Sequence, residues 1–307
     1  MPPLAVADLV SLGARAASGR DRLESASPNL VTLRADSTPE RVGIGHDGRV
    51  YENVIVPFDG SLDGRVVLGP ANDLAWRCDA RMVVVSNTDA GDRSSKAAVK
   101  LQAIAKSGAD VEFWIDLEHP LAEAALKAVA YRQDSMLCVA SPRPTSTLRK
   151  RRRSIGHLVS DVVARATVPV LVIGPQADIG RGLAMTELVV VLDCTPTADQ
   201  LLAFAVAWSR SLKLRMIVTA CPAPGTNFSR SDLQQYLDQR VDGLTAPGGV
   251  GTELIQGDDA EAVVELLGER DSSVVAVSAN HGKPGGLGIF SSKLALNAPR
   301  PVLVRPG

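Results

Sequence analysis

Short apolar runs alternate along the chain with longer stretches in which apolar residues recur every three or four positions. The short runs predict strands that are covered on both faces, because such strands consist of nearly continuous Val, Ile and Leu. The longer stretches predict amphipathic helices, as over 121–129. By this pattern the strands lie near 52–58, 81–87, 110–115, 135–140, 169–173, 187–192, 214–220, 252–256, 273–278 and 301–305. Strands that alternate with helices predict an α/β fold with right-handed crossovers and a mostly parallel sheet.

The order of these elements occurs twice. An apolar run that ends in Asp59 corresponds to one that ends in Asp193, and each half closes on Pro-Val-Leu-Val, at 169–172 and 301–304. Further matched segments follow in the same order in both halves. This order favours a duplication over a coincidence between two generic α/β halves.

The duplication predicts two tandem, open, doubly wound five-stranded sheets, each mostly parallel with strand order 3-2-1-4-5 and helices on both faces. The first domain comprises 51–175 and the second 186–307. We expect the last strands of the two domains to pair within one chain, because exposed strand edges invite such pairing. Whether two chains also form a homodimer is left open. The sequence of the N-terminal extension, 1–50, predicts a short helix near 4–18. The extension as a whole is either a disordered arm or a docked segment.

Composition and charge limit the partners and the compartment. The chain has 33 basic and 34 acidic side chains and a net charge of −1, so nothing drives wholesale binding to nucleic acid or to an anionic membrane. Neither is an expected partner. The four cysteines are scattered, without CxxC spacing, which predicts reduced thiols in the cytoplasm and no metal site. No apolar stretch approaches the roughly 18 residues that a membrane span requires.

Candidate chemistry lies at one edge of each predicted sheet. In an open α/β sheet, ligands bind beyond the carboxyl ends of the strands, where the strand order reverses. Two loops of each repeat reach this edge. One follows the first strand and begins at Asp59 or Asp193, and the other follows the fourth strand, at 141–154 or 279–291. Because aspartate after a strand also caps turns, each of these two aspartates either caps its turn or contacts a ligand.

The segment Pro57-Phe-Asp59-Gly-Ser61 resembles the opening signature of the universal stress protein family. The resemblance covers nearly all of the chain after residue 50. In that family the strand-end aspartate lies beside a bound nucleotide. The fourth strand runs into Gly-x-x-Gly, a spacer of about nine residues and Gly-Ser/Thr at the start of the last helix, a phosphate cradle of backbone N–H groups. The resemblance implies ATP or another adenine nucleotide as the ligand, beside Asp59 and Ser61 in one repeat and beside Asp193 and Thr195 in the other.

Neither repeat keeps the glycine pattern whole. In the second repeat the spacing survives from Ala279 through Gly282 to Ser292. In the first repeat Ser141 and Pro144 occupy the positions of the leading glycines, and Pro144 removes an N–H donor. The candidate nucleotide-binding residues are Asp59, Ser61, Ser141, Arg149 and Gly156 in the first repeat, and Asp193, Thr195, Gly282, Gly285, Gly286, Ser291 and Ser292 in the second.

Two further features have competing interpretations. The basic run Arg149-Lys-Arg-Arg-Arg153 lies in the fourth-strand loop of the first repeat, where guanidinium groups could hold phosphate oxygens. A solvated basic loop and a contact with protein or nucleic acid are the alternatives, and the lack of interleaved aromatic residues weakens the nucleic-acid interpretation. Trp76 and Trp208 occur at helix ends that the repeat matches, and we interpret both as core residues.

No catalytic constellation can be assembled from the sequence. It contains no nucleophile elbow, no phosphate loop ending in Gly-Lys-Ser/Thr and no paired carboxylates at a strand end. The resemblance therefore implies a non-enzymatic, stress-associated regulatory protein that binds an adenine nucleotide, better in the second domain than in the first. The alternatives are a scaffold without a ligand and a slow ATPase of the adenine-nucleotide α-hydrolase-like group. The ATPase would need Asp59 or Asp193 to hold a metal ion.

Overall fold

The computed structural model describes residues 29–33, 51–60, 64–87, 110–132, 134–141, 156–179, 182–195, 198–222, 226, 228–255, 259–279 and 288–306. Through β6, which we call the first half, the elements are β1 (Asn29–Leu33), β2 (Asn53–Pro57), a 3-10 turn (Gly64–Val67), α1 (Leu68–Cys78), β3 (Arg81–Ser86), β4 (Val111–Ile115), α2 (Leu121–Ala130), β5 (Ser135–Ala140), α3 (His157–Arg165) and β6 (Val170–Ile173). The second half contains β7 (Glu187–Leu192), α4 (Ala198–Leu212), β8 (Arg215–Ala220), α5 (Arg230–Val241), β9 (Val250–Thr252), α6 (Ala260–Gly268), β10 (Ser273–Ser278), α7 (Ile289–Asn297) and β11 (Val302–Arg305).

The strands form an open sheet in the order β1-β4-β3-β2-β5-β6-β11-β10-β7-β8-β9. The predicted α/β class and the mostly parallel, open sheet are confirmed. Within each half the five parallel strands follow the order third, second, first, fourth, fifth. The two predicted sheets meet edge to edge through their last strands, as expected, and so form one continuous sheet. The assignment of two domains remains a prediction.

The two halves meet where β6 and β11 pair in antiparallel register. Leu171 faces Leu303 at the centre of this pairing, and Val170 and Val172 face Val304 and Val302. All of these side chains are fully buried. An unpaired parallel sheet would expose the N–H and C=O groups of its last strand, and each half satisfies those of the other.

Helices cover both faces of this sheet. Alternate residues of every strand point to opposite faces, so Val54 and Val56 join one core and Ile55 joins the other. The first core packs under α1, α4 and α5, and the second under α2, α3, α6 and α7. Each core includes residues of both halves, so apolar packing continues across the junction.

The segment between the halves is docked on α1. The Asp73 carboxylate accepts a hydrogen bond from the Leu183 N–H at 2.7 Å, and Arg77 donates to the Met185 carbonyl at 3.0 Å. Leu183 and Met185 are buried in the first core. The connection therefore restrains the two halves as well as joining them.

Three expectations need correction. Trp208 is fully buried as expected, but Trp76 is 75% exposed. The strands on either side of the helix show the reason: Asp59 and Asp193, like Arg81 and Arg215, are 134 residues apart, which matches Trp208 to the buried Leu74 instead. A shift of two residues turns a helical position by about 200° and moves it to the opposite face.

The second and third corrections concern strands. The third strand of the second half, β9, lies at Val250–Thr252 and not at 252–256. It starts early because Gly248 brings the backbone close to β8: an added Cβ would lie 2.8 Å from the Arg215 backbone. The extension contributes β1, a strand that the sequence pattern did not predict. It pairs antiparallel with β4, so residues 29–33 are docked on the sheet, which is one of the two alternatives for the extension. The expected helix near 4–18 lies outside the described residues.

An ion cluster lies at the amino ends of the strands in each half. In the first half, Glu112 is only 3% exposed and accepts hydrogen bonds from Arg81, at 3.0 Å, and from Arg132. The Arg132 guanidinium also lies over the Trp114 ring, 4.7 Å from its centre. In the second half, Arg270 and Arg215 pair with Glu187 at 2.8 and 3.3 Å. Arg270 also pairs with Glu253, which directly follows β9. The arginines occupy repeated positions, and the second half adds Glu187 of its first strand to the cluster.

Gly174, just after β6, lies against the last helix, α7. A Cβ at this position would be 2.2 Å from the Ala295 carbonyl oxygen. Gly174→Ala is therefore expected to lower the free energy of unfolding by about 1–3 kcal/mol, measured by urea unfolding. Gly69→Ala is the matched control, because nothing lies within 4 Å of an added Cβ in α1. The control should be neutral or slightly stabilising, and equal losses in both variants would contradict the close approach.

Candidate functional site

The strand order reverses between β7 and β10 in the second half and between β2 and β5 in the first. In the second half, the chain leaves β7 into α4 on one face of the sheet and leaves β10 towards α7 on the other face. The crossovers diverge here, which opens a crevice beyond the carboxyl ends of the two strands. This crevice is where the sequence places its candidate residues.

In the second half, the turn after β7 is organised by Asp193. This residue is 4% exposed, and its Oδ1 accepts hydrogen bonds from the Thr195 N–H at 3.1 Å and the Thr195 hydroxyl at 2.6 Å. Between them Cys194 has a φ of 59°, in the left-handed region. Asp193 thus caps the turn, which is one of its two predicted roles. The other role, contact with a ligand, remains a prediction.

The first half repeats this turn with different side chains. Asp59 follows β2 at the matched position and is exposed, and Gly60 has a φ of +80° where the second half has Cys194. Glycine adopts this conformation readily, whereas a Cβ makes it costly. Ser61 lies outside the described residues. The two turns share a backbone conformation, and the one at Asp193 is the more enclosed.

Hydrogen bonds join the end of β10, the fourth strand of the second half, to the start of α7. The Ser291 hydroxyl is buried and donates to the Ser278 carbonyl at 2.8 Å, and the Gly288 N–H donates to the Ala279 carbonyl at 2.8 Å. Gly288 caps α7 without a side-chain hydrogen bond, and the Ser292 N–H donates to the Gly288 carbonyl at 2.9 Å. Ser291 therefore ties α7 to β10. Gly282, Gly285 and Gly286 lie outside the described residues.

In the first half, the end of β5 carries Ser141. This residue is 4% exposed; its N–H donates to the Ile173 carbonyl at 2.9 Å, and its hydroxyl has no hydrogen-bond partner among the described residues. Gly156 caps α3 without a side-chain hydrogen bond. Arg149 and the rest of the basic run lie outside the described residues.

Two residues of α5 lie near the Asp193 turn and the start of α4. Arg240 pairs with Asp199, in the first turn of α4, at 2.5 Å, and its guanidinium lies 4.6 Å from the centre of the Tyr236 ring. Burial, and then the negative charge of Asp193, raises the pKa of Cys194 to about 11, while Arg240 acts in the opposite direction. Burial likewise raises the pKa of Tyr236 to about 12. The cysteine and tyrosine are therefore neutral at physiological pH.

Tyr236 and Arg240 are not among the candidate residues that the sequence predicts. They come from the helix after the second strand, and the resemblance concerns only the loops after the first and fourth strands. The available signal was their spacing of four residues, which places an aromatic ring and a guanidinium on one side of a helix.

Solved structures similar to this chain include two that are described as universal stress proteins. A universal stress protein from Archaeoglobus fulgidus has 14% sequence identity and a TM-score of 0.58, and the match covers 84% of this chain and 97% of that one. The fold is that of a universal stress protein. A putative universal stress protein from Pseudomonas aeruginosa matches with 14% identity, a TM-score of 0.61, and coverage of 83% and 93%. A functionally unknown protein from the same species matches with 14% identity, a TM-score of 0.58, and coverage of 83% and 92%.

The similarity extends over both halves of the sheet, because the matched share of the chain exceeds either half alone. No family model and no curated protein matches the sequence. The universal stress protein fold is thus shown by the structure rather than by sequence identity. No helix in the described part of the chain is long and apolar enough to cross a membrane.

Proposed function

We propose that the protein is a tandem, two-domain universal stress protein of the cytoplasm that binds ATP or another adenine nucleotide and acts as a non-enzymatic, stress-associated regulator. We place the nucleotide in the crevice of the second half, and expect weaker binding in the first half. Membranes and nucleic acids are not expected partners.

The reversal of strand order between β7 and β10 carries this proposal. It supports a ligand site because two crossovers diverge there and the first turn of α7 begins at the same edge. The start of α7 suits a phosphate, since the N-terminus of a helix presents N–H groups and a favourable dipole to an anion. The enclosed Asp193 turn forms the opposite side of the crevice.

Calorimetric titration of the full chain with ATP tests the proposal, and the duplication supplies its own control. Asp193→Asn keeps a side chain that caps the turn but replaces a charged acceptor for a nucleotide hydroxyl by a neutral one, and should therefore weaken ATP binding about tenfold. Asp59→Asn makes the same change in the first half and should leave the tighter binding unchanged. Loss in Asp59→Asn alone would assign the site to the other half.

The alternatives give different results in the same experiment. A scaffold without a ligand predicts no heat with ATP, and that result would refute the proposed function. A slow ATPase predicts release of phosphate above background when Mg²⁺ or Mn²⁺ is present. We expect binding without phosphate release.

A further inference from the structure

Four side chains lie near one another beside the Asp193 turn, and the similarity in fold assigns none of them a function. They are Cys194, Asp199, Tyr236 and Arg240. The Arg240 guanidinium lies between the Asp199 carboxylate, at 2.5 Å, and the Tyr236 ring, at 4.6 Å. Cys194 lies close enough for its thiol to be influenced by the charges of both Asp193 and Arg240. Arg240 of α5 is therefore placed at the carboxyl end of β7, next to the proposed nucleotide site.

The pairing of Arg240 with Asp199 is easily exchanged. The Asp199 side chain is 61% exposed and that of Arg240 is 29% exposed. Exposed ion pairs contribute little free energy, because water solvates both charges almost as well as the partner does. An arriving anion can therefore take the place of the Asp199 carboxylate at low cost.

The tyrosine prepares the arginine for this exchange. The face of an aromatic ring attracts a guanidinium and restricts it, so less freedom is lost when a ligand binds. The Tyr236 hydroxyl is enclosed and has no hydrogen-bond partner among the described residues, which leaves a second donor beside the guanidinium. A planar guanidinium matches two phosphate oxygens, a geometry that a lysine cannot reproduce.

We infer that Arg240 binds the phosphate groups of the nucleotide in the second half, that Tyr236 positions it, and that Asp199 holds it when the site is empty and competes with the ligand. This inference rests on the proposed function and names the cation that the site would use. It also predicts that replacing Arg240 and replacing Asp199 have opposite effects on nucleotide binding.

The test compares ATP with adenosine, which lacks phosphate, by calorimetry on the full chain. Arg240→Gln should weaken ATP binding about 10- to 100-fold, because hydrogen bonds to charged groups are strong, and should leave adenosine binding unchanged. Asp199→Asn should strengthen ATP binding by a few fold, since it releases the arginine. Salt should weaken ATP binding less in Arg240→Gln than in the wild type. Arg210→Gln is the control, because Arg210 contacts Thr245 and lies in the last turn of α4.

The outcomes separate this inference from the proposed function. If the wild type binds ATP and Arg240→Gln binds it equally well, the inference is overturned and the function stands. Loss of adenosine binding together with ATP binding in Arg240→Gln would assign the arginine a structural role and also overturn the inference. If Arg240→Gln does not fold, Asp199→Asn decides alone: unchanged or weaker ATP binding overturns the inference. No ATP binding by the wild type refutes both.

Discussion

Replacing Glu112 by glutamine is expected to lower the free energy of unfolding by about 3 kcal/mol. The carboxylate is buried and pairs with Arg132, which is itself largely enclosed and lies over Trp114. It also pairs with Arg81, which keeps a second partner in Asp110. Removing one member of a buried ion cluster leaves charge without compensation, and this loss far exceeds that of an exposed pair. Urea unfolding followed by circular dichroism measures the change.

Asp271→Asn provides the control for Glu112→Gln. Asp271 pairs with Arg300 at 2.9 Å, but its side chain is 92% exposed. Its loss should change the free energy of unfolding by no more than about 1 kcal/mol. Similar losses in the two variants would contradict the prediction, because they would show that Glu112 stabilises the protein no more than an exposed ion pair does.

Leu303→Ala should lower the free energy of unfolding by about 2–5 kcal/mol and should do so for both halves equally. Leu303 is fully buried at the centre of the β6–β11 pairing, and truncation there leaves a cavity at the junction. Because both cores continue across the junction, we expect the whole sheet to unfold in one transition.

Two tryptophans can report the halves separately in this experiment. In a Trp76→Phe background, one variant keeps only Trp114 of the first half and another keeps only Trp208 of the second half. Leu303→Ala should shift the urea midpoint by the same amount in both. Leu117→Ala, at a side chain that is 61% exposed, should shift neither. Different midpoints for the two tryptophans would show that the halves unfold independently.

The sequence predicted most of the fold because buried parallel strands leave a clear record. Runs such as 187–192 and 273–278 are apolar except at their ends, and the structure has strands at Glu187–Leu192 and Ser273–Ser278. Strand β1 escaped prediction although Asn29-Leu-Val-Thr-Leu33 is largely apolar. It lies in a segment without a counterpart in the second half, and the duplication gave it no support.

The candidate site could be predicted only in part. A strand that ends in aspartate indicates the turn at Asp193, because the reversal of strand order brings that strand end to the crevice. The placement of Tyr236 and Arg240 beside this turn, by contrast, depends on where α5 packs. Such contacts between distant segments do not appear in local periodicity. The wrong prediction for Trp76 has a different origin, because Trp76 and Trp208 occupy positions of their helices that differ by two residues.

The pairing of β6 with β11 has a consequence for how the two halves can diverge. In an assembly of identical subunits, every substitution appears in both copies and must be tolerated twice. Here the two paired edge strands belong to one polypeptide. Each molecule therefore carries one turn with Gly60 and one turn with Cys194, in a fixed ratio of one to one. Selection can therefore specialise one crevice while the other keeps, or loses, its ancestral chemistry.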